Sequence, residues 1–278
     1  MDNQRAILVS GAAGGIGTAG CRQLAEAGFT VFAGALGDAE VQGLRSVHPN
    51  VKPVHLDVTK SETLASAVAS VSEALQGAPL YGCWSNAGIM RISAFQNLAV
   101  ADIRQVLDVN LAGAMLFLHA ALPLLERGRS RVVITGSATG MLAGPAVSVY
   151  TATKWGLEGF ADALRIELGR VGITLSLIQP GLVATPMATA ATPSVDRLLA
   201  GMSAEDRRDY ETLVRTIADT SAKASTPPEK VAAAVVDAFT SARPRTRYRV
   251  GADSKVVALL RHLPDSSRDF LQRKMFKL

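Results

Sequence analysis

The chain has 278 residues, 48% of them hydrophobic and only 5% aromatic, with a formal net charge of +5. That is ample apolar material for a buried core, and the positive charge forms no basic block interleaved with aromatics, which excludes the usual footprint of a nucleic-acid binder. Two cysteines, Cys21 and Cys83, are too few for a disulfide framework and are read as buried thiols; with no apolar leader and no uncharged run of about 18 residues, a cytoplasmic, non-spanning protein is expected.

Ala6–Val9 is the first of seven short apolar runs, followed by Thr30–Ala33, Val51–Leu56, Leu80–Trp84, Arg131–Thr135, Thr174–Ile178 and Tyr248–Val250. Runs this apolar, separated by helix-length stretches, predict a parallel sheet buried on both faces, hence an α/β chain folded as one domain. The first run enters Ser10-Gly11-Ala12-Ala13-Gly14-Gly15-Ile16-Gly17, and a helix follows through Cys21, Leu24 and Ala25 to Gly28. Strand, glycine turn and helix together aim backbone N–H groups and a positive helix end at a pyrophosphate, which side chains would hold off. At the end of the second run, where an acid would bind an adenosine ribose or a base its 2′-phosphate, stand Ala35 and Leu36, with Asp38 slightly beyond.

The third run ends at Asp57-Val58. Ser61 then heads a helix with Leu64, Val68, Val71 and Leu75 on one face, stopped by Gly77-Ala78-Pro79. Ser85-Asn86-Ala87-Gly88 closes the fourth run. A long helix over Val100–Arg127 carries Asn110, Ser137 lies just past the fifth run, and a helix over Tyr150–Arg170 opens with Tyr150-Thr151-Ala152-Thr153-Lys154. That spacing puts a phenol and an ammonium on one helical face. After Pro180-Gly181-Leu182-Val183-Ala184-Thr185 the pattern leaves the sheet over about 186–228, read as a loop with one amphipathic helix, either plain surface or an active-site lid. A tail from about 253, with Val256–Leu263 and Arg273–Leu278, is expected to pack on its own domain or a partner; lying on a membrane surface is the lesser alternative.

The spacing Gly11, Gly15, Gly17 together with Asn110, Ser137, Tyr150 and Lys154 resembles the short-chain dehydrogenase/reductase family, over nearly the whole chain from Ala6 to about Val250. The resemblance implies a Rossmann-type doubly wound sheet and hydride transfer between NAD(P) and an alcohol or carbonyl. It makes Gly11, Gly15, Ile16, Gly17, Leu36, Asp57, Val58, Asn86, Ala87 and Gly88 cofactor contacts, with Asp57 reaching the adenine amino group. Pro180, Gly181, Val183 and Thr185 would meet the nicotinamide amide, and Tyr150 and Lys154 its ribose. Ser85 stands where the family has a first Asn. Gly28–Gly34, Leu56–Lys60 and Pro244–Tyr248 resemble the retinol, 17β-hydroxysteroid and 3-hydroxybutyrate dehydrogenase branch.

A phenol that ordinarily titrates near 10 must be brought down by about 4 kcal/mol to act as a base near neutrality, and a nearby cation does this. Lys154 would be that cation and Ser137 the group that holds and polarises the substrate oxygen, while the resemblance makes Asn110 the binder of a relaying water. NAD is preferred over NADP because no base follows the second strand. Met141, Leu142, Ala143, Pro145 and Val147, with Ile89, Met90 and Met187, form an apolar candidate wall suited to a lipophilic alcohol, Arg91 being the one cation on offer for an acidic one. An NADPH-dependent carbonyl or ketoacyl reductase and a catalytically idle dinucleotide-binding regulator are the competing readings. A homodimer or homotetramer is expected, with a small-molecule substrate and no metal.

Overall fold

The computed structural model describes residues 5–276. Seven strands, β1 (Ala6–Val9), β2 (Thr30–Ala35), β3 (Val51–His55), β4 (Gly82–Ser85), β5 (Arg131–Thr135), β6 (Thr174–Pro180) and β7 (Arg247–Val250), form one sheet in the order β3-β2-β1-β4-β5-β6-β7. Every pairing is parallel. The inner strands are largely apolar because both sheet faces are covered, while the edge strands β3 and β7 carry Lys52, His55, Arg247 and Arg249. In β1, Ala6 and Leu8 enter one core and Ile7 and Val9 the other.

On the first face α3 (Ser61–Ala74), α5 (Gly113–Ala121) and α6 (Ser148–Gly169) bury Leu64, Val71, Phe117, Leu118, Leu157 and Leu164. On the second, α1 (Gly15–Glu26), α2 (Asp38–Arg45) and a later helix, Pro228–Thr240, bury Cys21, Leu24, Leu44, Val231, Val235 and Phe239. The strand order reverses between β1 and β4, and such a switch point leaves a crevice at the strand C-termini. Every catalytic candidate comes from a segment that follows one of these strand ends.

Two elements differ from expectation. The long helix over 100–127 is segmented: α4 (Val100–Leu107), one π-helical turn (Asp108–Ala112) holding Asn110, then α5 and a single tight turn (Leu122–Leu124) around Pro123, which cannot continue the ladder. By length and composition alone Val100–Leu124 is apolar enough to cross a membrane; its Ala114, Phe117, Leu118 and Ala121 pack against the sheet as a core helix does. The excursion over 186–228 holds three helices instead of one, α7 (Pro186–Thr189), α8 (Ala191–Ala200) and α9 (Ala204–Ala222), before α10 (Pro228–Thr240). Its Ala, Thr and Pro content suggested loop, but Ala191, Val195 and Leu199 fall at helical spacing and bury against Val214, Ile217 and Ala218 in a small core of their own. Ser203 caps α9 by accepting the Asp206 N–H at 3.0 Å.

After β7 come α11 (Ala252–Leu260), which buries Ser254 and Ala258, and α12 (Asp265–Phe276), which buries nothing. Lys277 and Leu278, the last residues of the expected surface stretch, lie outside the described residues. Cys21 and Cys83 are free and fully buried, burial pushing each thiol up to about 12, so neither is a nucleophile near neutrality.

The position of α1 depends on Gly20, because a methyl there would run into the buried ring of Trp84 on β4. Gly20→Ala is expected to lower stability by about 1–3 kcal/mol through overpacking, read from urea unfolding midpoints.

Candidate active site

The glycine turn is built by steric exclusion. Gly11 has φ +63°, and a Cβ on it would lie 2.6 Å from the Ala87 backbone, while one on Gly15 would press on the Thr185 side chain at 2.9 Å. Gly17 would strike the carbonyl of Gly11. The N-cap of α1 is Gly14, which brings no side chain, so the first-turn N–H groups face the cleft uncapped. Gly11, Gly14, Gly15, Ile16 and Gly17 line a cleft of about 530 Å³. A side-chain-free floor and an uncapped positive helix end fit the pyrophosphate of a dinucleotide. Asn86, Ala87, Gly88, Asp57, Val58, Leu36, Pro180, Gly181, Val183 and Thr185 line the same cleft, so the structure brings together every expected cofactor residue.

Asp57 turns partly inward: its Oδ1 accepts from the Thr59 N–H at 3.0 Å and the Thr59 hydroxyl at 2.7 Å. Burial works against its ionisation, but the bonds from Thr59 and the nearby Lys60 outweigh it and hold the carboxyl below the usual range. At the end of β2 the structure supplies an acid that the strand itself lacks. Glu40, from the first turn of α2, reaches back so that its Oε2 accepts the Leu36 N–H at 2.7 Å, and it lines the cleft. Sequence reasoning looked only at Ala35, Leu36 and Asp38; helical geometry carries Glu40 back to the strand end.

At the chemical end, α6 presents Tyr150 and Lys154 on one face, with Lys154 Nζ 5.6 Å from the Tyr150 ring centroid. Lys154 is buried and donates to the Thr135 carbonyl at 2.9 Å. Burial pulls its ammonium down to about 8. Tyr150 departs from the expected depression: burial raises the phenol, and the hydrogen bond with Ser137 works the other way. The Ser137 hydroxyl is oriented by the Thr139 N–H at 3.1 Å and the Thr139 hydroxyl at 2.9 Å, both donating to it.

Asn110 is fully buried in the π-helical turn. Its Oδ1 accepts the Ile89 N–H at 2.8 Å, and its Nδ2 donates to the Ile89 carbonyl at 2.8 Å and to Thr153 at 3.3 Å. The carboxamide therefore clasps the segment after Gly88, leaving one Oδ1 lone pair for a water.

Two residues that sequence reasoning passed over, Thr135 and Ser10, hold these parts together. Thr135, last in β5, gives its carbonyl to Lys154, accepts the Trp84 indole N–H at 2.8 Å and donates to Asn86 Oδ1 at 3.0 Å. Asn86 Nδ2 then donates to the Gly11 carbonyl at 2.9 Å. Ser10 accepts the N–H groups of Asn86 and Ala87 at 3.1 and 3.3 Å. The available signal was position, a hydroxyl at a strand C-terminus facing the switch point.

The expected apolar wall is corrected. Met141 is fully buried against Ala138 and Ala258, because α11 covers it, and Leu142 also stands off the cleft. Val147 belongs to the small core under the lid helices. Met187 does line the cleft, with Ile89, Met90, Val109, Ala188 and Ala224. Arg91 is tied to Asp102 at 3.0 Å and Gln105 at 2.8 Å.

A family profile described as short chain dehydrogenase matches residues 5–196. The chain belongs to that family. It is 32% identical over 276 residues to human 17-beta-hydroxysteroid dehydrogenase type 6, covering 95% of this chain and 86% of the relative. It is 33% identical over 264 residues to the mouse mitochondrial D-beta-hydroxybutyrate dehydrogenase, covering 88% and 76%. Among solved structures, an actinorhodin polyketide ketoreductase variant with NADPH superposes at TM-score 0.73 with 28% identity, covering 89% of this chain and 95% of that one. This short-chain dehydrogenase is thus an NAD(P)-binding oxidoreductase of alcohol and ketone groups, acting on small molecules.

Burying Lys154 makes stability depend on pH. Its folded value, about 8, lies below its ordinary 10.5, so charged Lys154 opposes folding at low pH by about 3 kcal/mol, and that penalty is relieved as pH rises from about 8 to 10.5. Against Lys154→Met, which does not titrate, the cofactor-free wild type is expected to gain stability between pH 7.5 and 10 in urea titrations; a constant difference would show the ammonium is not desolvated.

Proposed function

We propose that this chain is an NAD-dependent dehydrogenase of a lipophilic secondary alcohol of steroid, retinoid or other lipid type. One observation carries the reading: beyond Tyr150 the cleft is walled by Ile89, Met90, Val109, Met187, Ala188 and Ala224, and the charged lining residues are Glu40, Asp57 and Lys154. Among the described residues the one cation lining the cleft is Lys154, which is held on the Thr135 carbonyl at its floor, and Arg91 is engaged with Asp102. The adenosine end is acidic through Glu40 and Asp57, and among the described residues that line it none is a base for the extra phosphate of NADP.

A bound nicotinamide cofactor would supply the hydride acceptor and donor for the alcohol/carbonyl pair; Gly11, Gly15, Ile16 and Gly17 would hold its pyrophosphate and the 180–185 loop its nicotinamide end. The Tyr150 hydroxyl, as phenolate, takes the alcohol proton in oxidation, and as phenol gives it back in reduction. Lys154 stabilises the phenolate by its charge and is itself held by Thr135. Ser137, already oriented by Thr139, donates to the substrate oxygen and stabilises the charge that develops there. Asn110 fixes the Gly88-Ile89 wall, and the water relay that the family resemblance gives it rests on its remaining Oδ1 acceptor.

The competing NADPH-dependent reductase draws support from the ketoreductase with NADPH among the structural neighbours. The acidic adenosine end weighs against it. An idle regulator would have no use for an assembled Tyr150, Lys154 and Ser137. The whole is read as one cytoplasmic oxidoreductase domain with residues 186–228 as lid. Exposed Leu116, Trp155 and Ile166 on α5 and α6 support pairing into a homodimer or homotetramer.

In thermal unfolding NAD and NADH are expected to raise the midpoint well above NADP and NADPH, a ligand at 100 times its Kd contributing about 2.7 kcal/mol. Glu40→Gln should narrow that gap. In a substrate panel read at the nicotinamide absorbance, apolar secondary alcohols are expected to turn over and 3-hydroxybutyrate to lag; preference for NADPH or for the acid would overturn the reading.

A further inference from the structure

The 180–185 loop is held from beneath by the start of the C-terminal segment. The Gly181 N–H donates to the Val250 carbonyl at 2.9 Å, the Leu182 N–H to Asp253 Oδ2 at 2.6 Å, and the Ser254 hydroxyl to the Gln179 carbonyl at 2.7 Å. Two glycines make room for that one carboxylate. Gly251, at φ +100°, turns the chain back under the loop, and a Cβ on either Gly181 or Gly251 would run into Asp253. From the other side Thr226 accepts the Ala184 N–H at 2.9 Å and donates its own N–H to the Leu182 carbonyl at 3.3 Å. Asp253 sits in the first turn of α11, where a carboxylate ordinarily serves its own helix, yet the bond it makes is to Leu182 and α11 has no side-chain cap. Further along, Ala258 and Val257 of the same helix pack on Ala138 and Met141, the segment that follows Ser137.

We propose that Asp253, assisted by Ser254, is a positioning residue that sets the height and tilt of the 180–185 loop and so the placement of the nicotinamide ring over Tyr150. The inference rests on the proposed reading in which that loop receives the nicotinamide end. Asp253 does not line the cleft; it acts through the Leu182 backbone. Asp253 and Ser254 lie past residue 196, where the family match ends.

The test compares binding of NADH with binding of ADP-ribose, the fragment without nicotinamide, to the full-length protein by calorimetry. Asp253→Ala is expected to weaken NADH about tenfold, the effect of losing a hydrogen bond to a charged acceptor. ADP-ribose affinity should stay the same. Asp253→Asn, which keeps an acceptor of the same shape, should recover most of the loss. Gly251→Ala leaves Asp253 in the chain but displaces its carboxylate, and it should reproduce the selective loss even if Asp253→Ala folds poorly. In turnover the KM for NAD should rise and kcat fall, with the KM for the alcohol little changed. Equal weakening of NADH and ADP-ribose, or no weakening in either variant, would overturn the proposal. Wild type that binds ADP-ribose as tightly as NADH would instead remove the nicotinamide placement, and the proposal with it.

Discussion

The ammonium of Lys154 is buried at the floor of the cleft, and the rest of the site is arranged around holding it there. Burial alone pulls it down to about 8, so the fold keeps a cation at a cost. Its compensation within the protein is the Thr135 carbonyl, at the buried C-terminal end of β5, two strands from β1. Thr135 also joins Trp84, Asn86 and Gly11 in one hydrogen-bond chain, so the position of the ammonium and the shape of the glycine turn are linked. A misplaced β5 would loosen both the phosphate floor and the catalytic face of α6.

That arrangement explains why Tyr150 is poised without being ionised. Burial favours the neutral phenol and Ser137 favours the phenolate, leaving the balance to charge in the cleft. The chemistry thereby becomes conditional on an assembled site. The same economy appears at the adenosine end, where Glu40 closes on the Leu36 amide and occupies a backbone donor that an anion would otherwise use.

Much of this was legible in the sequence because parallel strands buried on both faces leave an unambiguous apolar signature, and because Tyr150 and Lys154 lie at a helical spacing that survives in any context. The glycine turn was equally readable, since steric exclusion by Ala87 and Thr185 demands glycine itself. What was not legible depends on pairs distant in sequence. The lid helices hide in a loop-like composition until Ala191, Val195 and Leu199 find Val214 and Ile217. Met141 reads as pocket wall until α11 is seen to cover it. Glu40, Thr135 and Asp253 carry no motif, and their tasks follow only from where other elements bring them.

The central claim is that the Tyr150 hydroxyl transfers the proton in a site whose cofactor binding is independent of that transfer. The direct measurement is alcohol-dependent NADH formation by Tyr150→Phe alongside NADH binding by the same variant. The account predicts turnover lower by roughly a hundredfold to ten-thousandfold, with NADH still raising the thermal midpoint. Turnover at the wild-type level in a variant that binds NADH normally would contradict it.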